Sequence, residues 1–330
     1  MNTKIFHGLV IFIFAILLLY FLWVIVSSQQ KTEVRVGYLI GDLHHLPFFV
    51  ALEKGYFKEA GIDVKVVGPF EAGTVEMEAL ATNQMDIGYV GASPAIIAAA
   101  RGVNLSIIAG VNKEGSSLIV DKSIDDVEEL KNKKIATPLP GSIQYILFGM
   151  LLAENNMSYQ DIDILPGTIK PPDMPSTLER GNIKGYIVWE PYASQSVVAG
   201  IGKRLIDSNS IWPEHPCCVL VIRNDFKEKN PEIVKRIVEA HKKAIEFIKN
   251  NPIEAKKIAV KYTKLNMNVI EEALPRIKFD YSIEKNSIRR FVEETIKLGE
   301  SEVVKPIIKT EEIQNITEFV DKIVDLKFIS

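Results

Sequence analysis

The stretch Met85–Gly102, MDIGYVGASPAIIAAARG, decides how the rest of the chain is read. Its opening, MDIGYVG, is short and apolar with few helix formers, as in a buried strand. Gly91-Ala92-Ser93-Pro94 then reads as a tight turn, and Ala95 to Arg101 as a small-residue helix ended by Gly102. Ser93 suits the N-cap and Pro94 the first helical turn. The free N–H groups of such a helix start, with the Ser93 hydroxyl, suit an anion or a carbonyl oxygen. Gly91 leaves room for a ligand near the backbone, with Ala92 beside it. An ordinary, well-capped strand–turn–helix joint would read the same way.

Outward from that joint, short apolar strands alternate with capped helices from Val34 to Ile222, the pattern of α/β layers. Val34–Tyr38 is the first strand, and the loop Leu39–Pro47 carries Gly41, His44 and His45. Ligands of open α/β sheets bind beyond the carboxyl ends of strands, which places these three residues beside Gly91–Ser93. Adjacent histidines rarely ligate one metal well and no third ligand lies at a supporting spacing, so surface or ligand-contact histidines and no metal are expected. A helix over Phe48–Glu59 and a strand over Ile62–Val67 follow. Gly73 and Thr74 then open a helix over Val75–Asn83, with Thr74 as its cap and its N-terminus toward the same crevice. Glu76 and Glu78 belong on its solvated face.

The second half repeats the theme. After strands at Leu105–Asn112 and Ser117–Val120 come a helix at Ile124–Leu130 and a strand at Lys134–Pro138. Gly141 and Ser142 then precede a helix over Ile143–Asn155, so a second hydroxyl and a second helix start face the crevice from the other side. Further strands are expected at Ile162–Pro166 and Gly185–Trp189, with a helix over Met174–Arg180 between them. At Trp189-Glu190-Pro191-Tyr192 an aromatic ring could lie against an apolar ligand portion and Glu190 could accept from an amine. Competing readings are a core tryptophan and a helix-start carboxylate. Cys217–Arg223 is the return strand, and helical spacing dominates from Asn230 onward. The resulting division is a segment 1–30, a first lobe from 31–116 and 222–330, and a second lobe from 117–221.

Composition narrows the function classes. The 330 residues are 47% hydrophobic with a formal net charge of −3, and no basic cluster interleaves with aromatics, which argues against nucleic acid. Cys217 and Cys218 are the only cysteines, and adjacent Cα atoms about 3.8 Å apart suit a disulfide poorly, so small buried hydrophobes are expected. The five histidines offer no nucleophile–base set, and no phosphate loop or nucleophile elbow appears. Leu9–Val26 is an unbroken apolar run after Lys4, long enough to span a bilayer and to leave the following chain outside the cytoplasm. An uncleaved N-terminal transmembrane helix in the cell membrane is expected. Cleavage near Val26-Ser27-Ser28 would instead give a periplasmic or secreted protein.

The words VRVGY (34–38), ALEKGYFKEAGIDVKVV (51–67), MDIGYVGASP (85–94), IATPLPGS (135–142), VWEPY (188–192) and PCCVLVIRNDF (216–226) carry a specific resemblance in their order and spacing. Over roughly Val34–Thr263 the chain resembles the ABC-transporter substrate-binding proteins for nitrate, sulfonates, taurine and bicarbonate. The resemblance implies a two-lobed periplasmic-binding-protein fold of type II, with two crossing strands and hinge closure on a small-molecule ligand. It also implies an ABC permease and, through it, an ATPase subunit as partners, and no cofactor or catalysis. A sulfonate, taurine or nitrate-like ligand is expected. The alternative is a thiamine-pyrimidine-type heterocycle, bound or processed by a related biosynthetic enzyme on this fold.

Overall fold

The computed structural model describes residues 32–299 and 313–329, with the single positions 16 and 308. The expected membrane segment Leu9–Val26 lies outside these except for Ile16. Among the described residues no helix is long and apolar enough to cross a membrane.

The first sheet is built from β1 (Thr32–Tyr38), β2 (Ile62–Val66), β3 (Ile87–Gly91), β4 (Leu105–Glu114), and two strands that come much later. The second sheet takes β5 (Ser116–Val120), β6 (Lys134–Thr137), β7 (Asp163–Pro166), β8 (Gly185–Trp189) and β9 (Lys203–Asp207). The chain then returns through β10 (Pro216–Arg223) and β11 (Ile277–Phe279). Strand order is β11-β4-β10-β3-β1-β2 in one sheet and β7-β6-β8-β5-β9 in the other. β1, β2 and β3 are parallel, as are β6, β7 and β8, so strand carboxyl ends gather at one side of each sheet. β10 runs antiparallel between β3 and β4. The apolar runs are buried on both faces: every residue of β3, β5 and β8 is buried.

The chain passes between sheets at Gly115, whose φ of +87° is open to glycine without strain. A Cβ there would also come 2.4 Å from His44 Nε2. Helices after β10 brace the first sheet. Pro231–Asn250 is the longest of them and lays Ile233, Val234, Ile237, Val238, Ala244 and Ile245 at helical spacing against the core.

Several local expectations change. No turn separates β3 from its helix: the helix runs Ala92–Ala100 with Gly91 as its cap, so Ser93 sits inside the first turn. Gly73–Ala81 likewise begins two residues earlier than expected, with Ala72 rather than Thr74 at the cap. Phe48–Glu59 is two helices, Leu46–Glu53 and Tyr56–Glu59, because Gly55 adopts φ +74° and breaks the ladder. Ile124–Leu130 supplies only a single 3-10 turn at Glu128–Leu130. Glu78 is solvated as expected, but Glu76 is fully buried with neither carboxylate oxygen hydrogen-bonded. Burial, with Asp42 as a secondary cause, holds its carboxyl well above the usual carboxylate range.

Candidate functional site

The carboxyl ends of β1, β3, β6 and β8 and the head of β10 surround a cleft between the sheets that encloses about 500 Å³, mouth included. Three helix starts converge on it: Ala72-Gly73-Thr74, Gly91 with Pro94, and Ser142-Ile143-Gln144. The helices behind them are Gly73–Ala81, Ala92–Ala100 and Ile143–Glu154, each long enough for its N-terminal N–H groups to present partial positive charge. Ser142 caps the third, its Oγ accepting from the Tyr145 amide at 3.2 Å. Gln144 donates from Nε2 to Ser116 Oγ at 2.8 Å, which fixes its side chain against the crossing strand. Trp189 closes one wall, 7% exposed, and its indole N–H has no hydrogen-bond partner.

Of the residues expected from sequence, His44, Gly73, Thr74, Gly91, Ser142 and Trp189 line this cleft together. The remainder are turned to other work. Ser93 Oγ donates to the Gly141 carbonyl at 2.7 Å, so neither group is offered to a ligand. Ala92 is fully buried in the core at the start of its helix. Gly41 has φ +60° and packs beneath the Tyr192 hydroxyl, which a Cβ would approach to 2.5 Å. That hydroxyl donates to the Ile40 carbonyl at 3.1 Å, tying the two sides of the cleft. His45 accepts the Leu39 amide on Nδ1 and is buried away from the cavity. Gly91 has Ile143 of the opposite side 3.2 Å from where its Cβ would stand, so its room is taken by protein.

Glu190 departs furthest from expectation. It is fully buried, pairs with Arg204 at 3.0 Å and accepts the Ser194 amide at 3.0 Å. Burial raises its pKa while Arg204 and Ser194 oppose that rise. The close two-partner geometry makes this an internal ion pair and not an acceptor for a ligand amine.

Sequence reasoning missed the floor of the cleft: Asp42, Cys217 and Cys218 join His44 there. Cys217 Sγ lies 3.4 Å and Cys218 Sγ 3.8 Å from His44 Nδ1. Asp42 Oδ1 is 3.6 Å from the same nitrogen and accepts the His44 amide at 2.9 Å. His44 Nε2 donates to the Gly115 carbonyl at 2.9 Å. Burial pulls the His44 pKa down, but the charges of Cys217 and Asp42 and its own hydrogen bonds outweigh it and lift it to about 9. Burial pushes the Asp42 carboxyl up to about 7 against the opposing pull of His44. Burial would raise the Cys217 thiol, yet the Cys218 hydrogen bond and His44 hold it well below its ordinary value. No single local motif marks this group, because its two halves, Asp42 with His44 and Cys217 with Cys218, lie far apart in the chain, Cys217 and His44 being 173 residues apart.

The NMT1-like family model matches residues 27–263. An aliphatic sulfonates-binding protein assigned in Bacillus subtilis strain 168 is 29% identical over 310 residues, covering 91% of this chain and 86% of that one. The taurine-binding periplasmic protein of Escherichia coli K12 is 32% identical over 226 residues, 66% of each chain. Among solved structures, the periplasmic nitrate-binding protein of Synechocystis PCC 6803 superposes with a TM-score of 0.76 at 18% identity. It covers 91% of this chain and 88% of its own. A family match spanning well over half the sequence, on a two-sheet α/β fold shared with a periplasmic binding protein, has one meaning: the chain belongs to the NMT1-like family.

Proposed function

We propose that this protein is the extracytoplasmic solute-binding component of an ABC importer. It captures a small anionic organic solute, a sulfonate or taurine, or a nitrate-like oxyanion, and delivers it to a permease driven by an ATPase. The observation that carries the reading is the convergence of three helix starts on one cleft, since oriented backbone N–H groups hold an oxyanion without a cationic side chain. Relatives named for sulfonate and taurine binding support the solute class. Thr74 and Ser142 supply hydroxyls from opposite sides, and Trp189 supplies an apolar wall and an N–H for the solute's polar end. The lobes in this reading are 31–116 with 222–330, and 117–221, the cleft between them closing by hinge motion. The apolar run Leu9–Val26 tethers the protein to the membrane.

The reading is one of binding and release, without turnover, in keeping with relatives that are solute-binding proteins. The test is a thermal-shift and calorimetric screen with taurine, alkanesulfonates, nitrate, bicarbonate and thiamine-type pyrimidines. Ligand at a hundred times its dissociation constant stabilises the folded state by about 2.7 kcal/mol, well within detection. Binding of one oxyanion at one equivalent, returned unchanged, supports the proposal. Selective binding of the pyrimidine, or chemical change in any compound, overturns it.

A further inference from the structure

We propose that Asp42, His44, Cys217 and Cys218 form a binding site for a thiophilic divalent cation of the zinc class on the floor of the cleft. The first ground is spacing. A tetrahedral centre with bonds of about 2.3 Å to sulfur and about 2.0 Å to nitrogen or oxygen sets its donors roughly 3.3–3.8 Å apart. From His44 Nδ1 the distances to Cys217 Sγ, Asp42 Oδ1 and Cys218 Sγ are 3.4, 3.6 and 3.8 Å. The two sulfurs and this nitrogen all lie within 4.8 Å of one another.

The second ground is that the backbone is shaped to bring both thiols to one place. Successive side chains of a regular strand point to opposite faces, so adjacent cysteines should not converge. The β10–β4 pairing slips here: Pro216 faces Lys113 and Cys218 faces Asn112, leaving Cys217 as the extra residue of a bulge. A bulge re-aims a side chain, and this one turns the second sulfur toward His44.

The third ground is the support around the imidazole. A carbonyl can only accept, so the 2.9 Å contact with Gly115 O places a hydrogen on Nε2 and turns Nδ1 toward the other donors, where it can ligate once its own proton is displaced. Gly115 is the residue that permits this approach, since a Cβ there would stand 2.4 Å from Nε2. Asp42 is held in turn by the His44 amide, and the buried His45 Nε2, without a hydrogen-bond partner, lies 3.9 Å from its second oxygen. Binding would displace two protons to solvent, one from the Cys218 thiol and one from the His44–Cys217 pair, and leave one side of the cation facing the cleft. The site does not depend on which solute the cleft takes.

The test uses the full chain, reduced, chelator-treated and free of solute. Cobalt(II) is titrated first, because thiolate-to-cobalt charge transfer reports sulfur ligation directly; zinc is then added to displace it. We expect a charge-transfer band saturating at one equivalent and abolished by zinc. Both thiols should react with an alkylating dye without metal and be protected by one equivalent of zinc. Cys217→Ser, Cys218→Ser and His44→Ala should each weaken binding by more than the roughly 10–100-fold typical of an outer-shell partner. If a variant does not fold, thiol protection in the unsubstituted protein decides the matter alone. No charge-transfer band, or equal alkylation with and without zinc, overturns the proposal. Failure here leaves the solute screen untouched, because that screen is run with chelator present.

Discussion

The Ser93 hydroxyl and the Gly141 carbonyl meet across the cleft at 2.7 Å, one group from the helix after β3 and the other from the loop after β6. With the Tyr192–Ile40 bond and the Leu43 amide on the Glu190 carbonyl at 3.3 Å, this contact ties the two sides of the cleft together, and under the proposed hinge closure it would form as the cleft shuts. Ser93→Ala should remove about 1 kcal/mol of closure free energy and weaken solute binding about fivefold. Ser142→Ala should act differently, because it also removes a helix cap worth about 1 kcal/mol. Calorimetry paired with melting temperature separates the two: Ser93→Ala lowers affinity with little change in Tm, and Ser142→Ala lowers both.

Trp189 has an unpartnered indole N–H in the cleft wall. Trp189→Phe keeps an aromatic wall and removes the donor. We expect about a tenfold loss of affinity, the cost of leaving a desolvated solute acceptor unpaired. Intrinsic fluorescence offers a second readout, as solute should change the emission of Trp212→Phe but not of Trp189→Phe.

The Arg204 guanidinium joins Glu190 at 3.0 Å, Asp207 at 3.2 Å and Glu272 at 3.5 Å. Arg204→Ala strands a fully buried carboxylate, a defect that typically costs about 3–5 kcal/mol, so chemical denaturation should show a large loss of stability. Glu190→Gln should leave solute affinity within about twofold, because the side chain faces the arginine and not the cavity. A tenfold fall would restore Glu190 to the binding surface.

His241 is fully buried between the Tyr89 hydroxyl at 3.2 Å and the Gly110 carbonyl at 2.8 Å. Burial depresses its pKa to about 4, with the Gly110 bond opposing. Its folded pKa lies below the unfolded value of about 6.5, so the unfolded chain binds the extra proton first. The stability is present above pH of about 6.5 and is lost as pH falls toward about 4, by about 3 kcal/mol in all. Urea titrations of the parent and of His241→Gln at pH 7 and at pH 4.5 should diverge in slope with pH, the variant losing less on acidification.

Much of the fold was legible because its signals are local. Gly185–Trp189 carries an unbroken apolar run, Val34–Tyr38 a short run broken only by Arg35, and Pro231–Asn250 a helical stripe with a start signal, and the structure forms each of them. The strand Lys203–Asp207 escaped notice because KRLID is half-buried at a sheet edge and too charged to read as core. Ile124–Leu130 has helical spacing without enough contact to hold more than one turn. The site divides the same way. Gly73, Gly91 and Ser142 announce themselves at strand–helix joints. Ser93 and Glu190 have the right chemistry in the right place but are consumed by partners 48 and 14 residues away. Cys217 and His44 are separated by 173 residues, and only the finished fold brings sulfur and nitrogen together.

The position of β10 between β3 and β4 bears on how the molecule comes to be made. The second sheet is one unbroken passage of chain, from Ser116 to Asp207, and can assemble as soon as that passage exists. The first sheet cannot: its centre stays vacant until Pro216–Arg223 arrives, although β1 to β4 are synthesised long before. During that interval the facing edges of β3 and β4 have no mate, and unpaired edges are templates for the wrong partner. The half that starts last therefore finishes first. A nascent chain halted short of residue 216 would carry a finished sheet and an open one, and would be prone to aggregate through the open one.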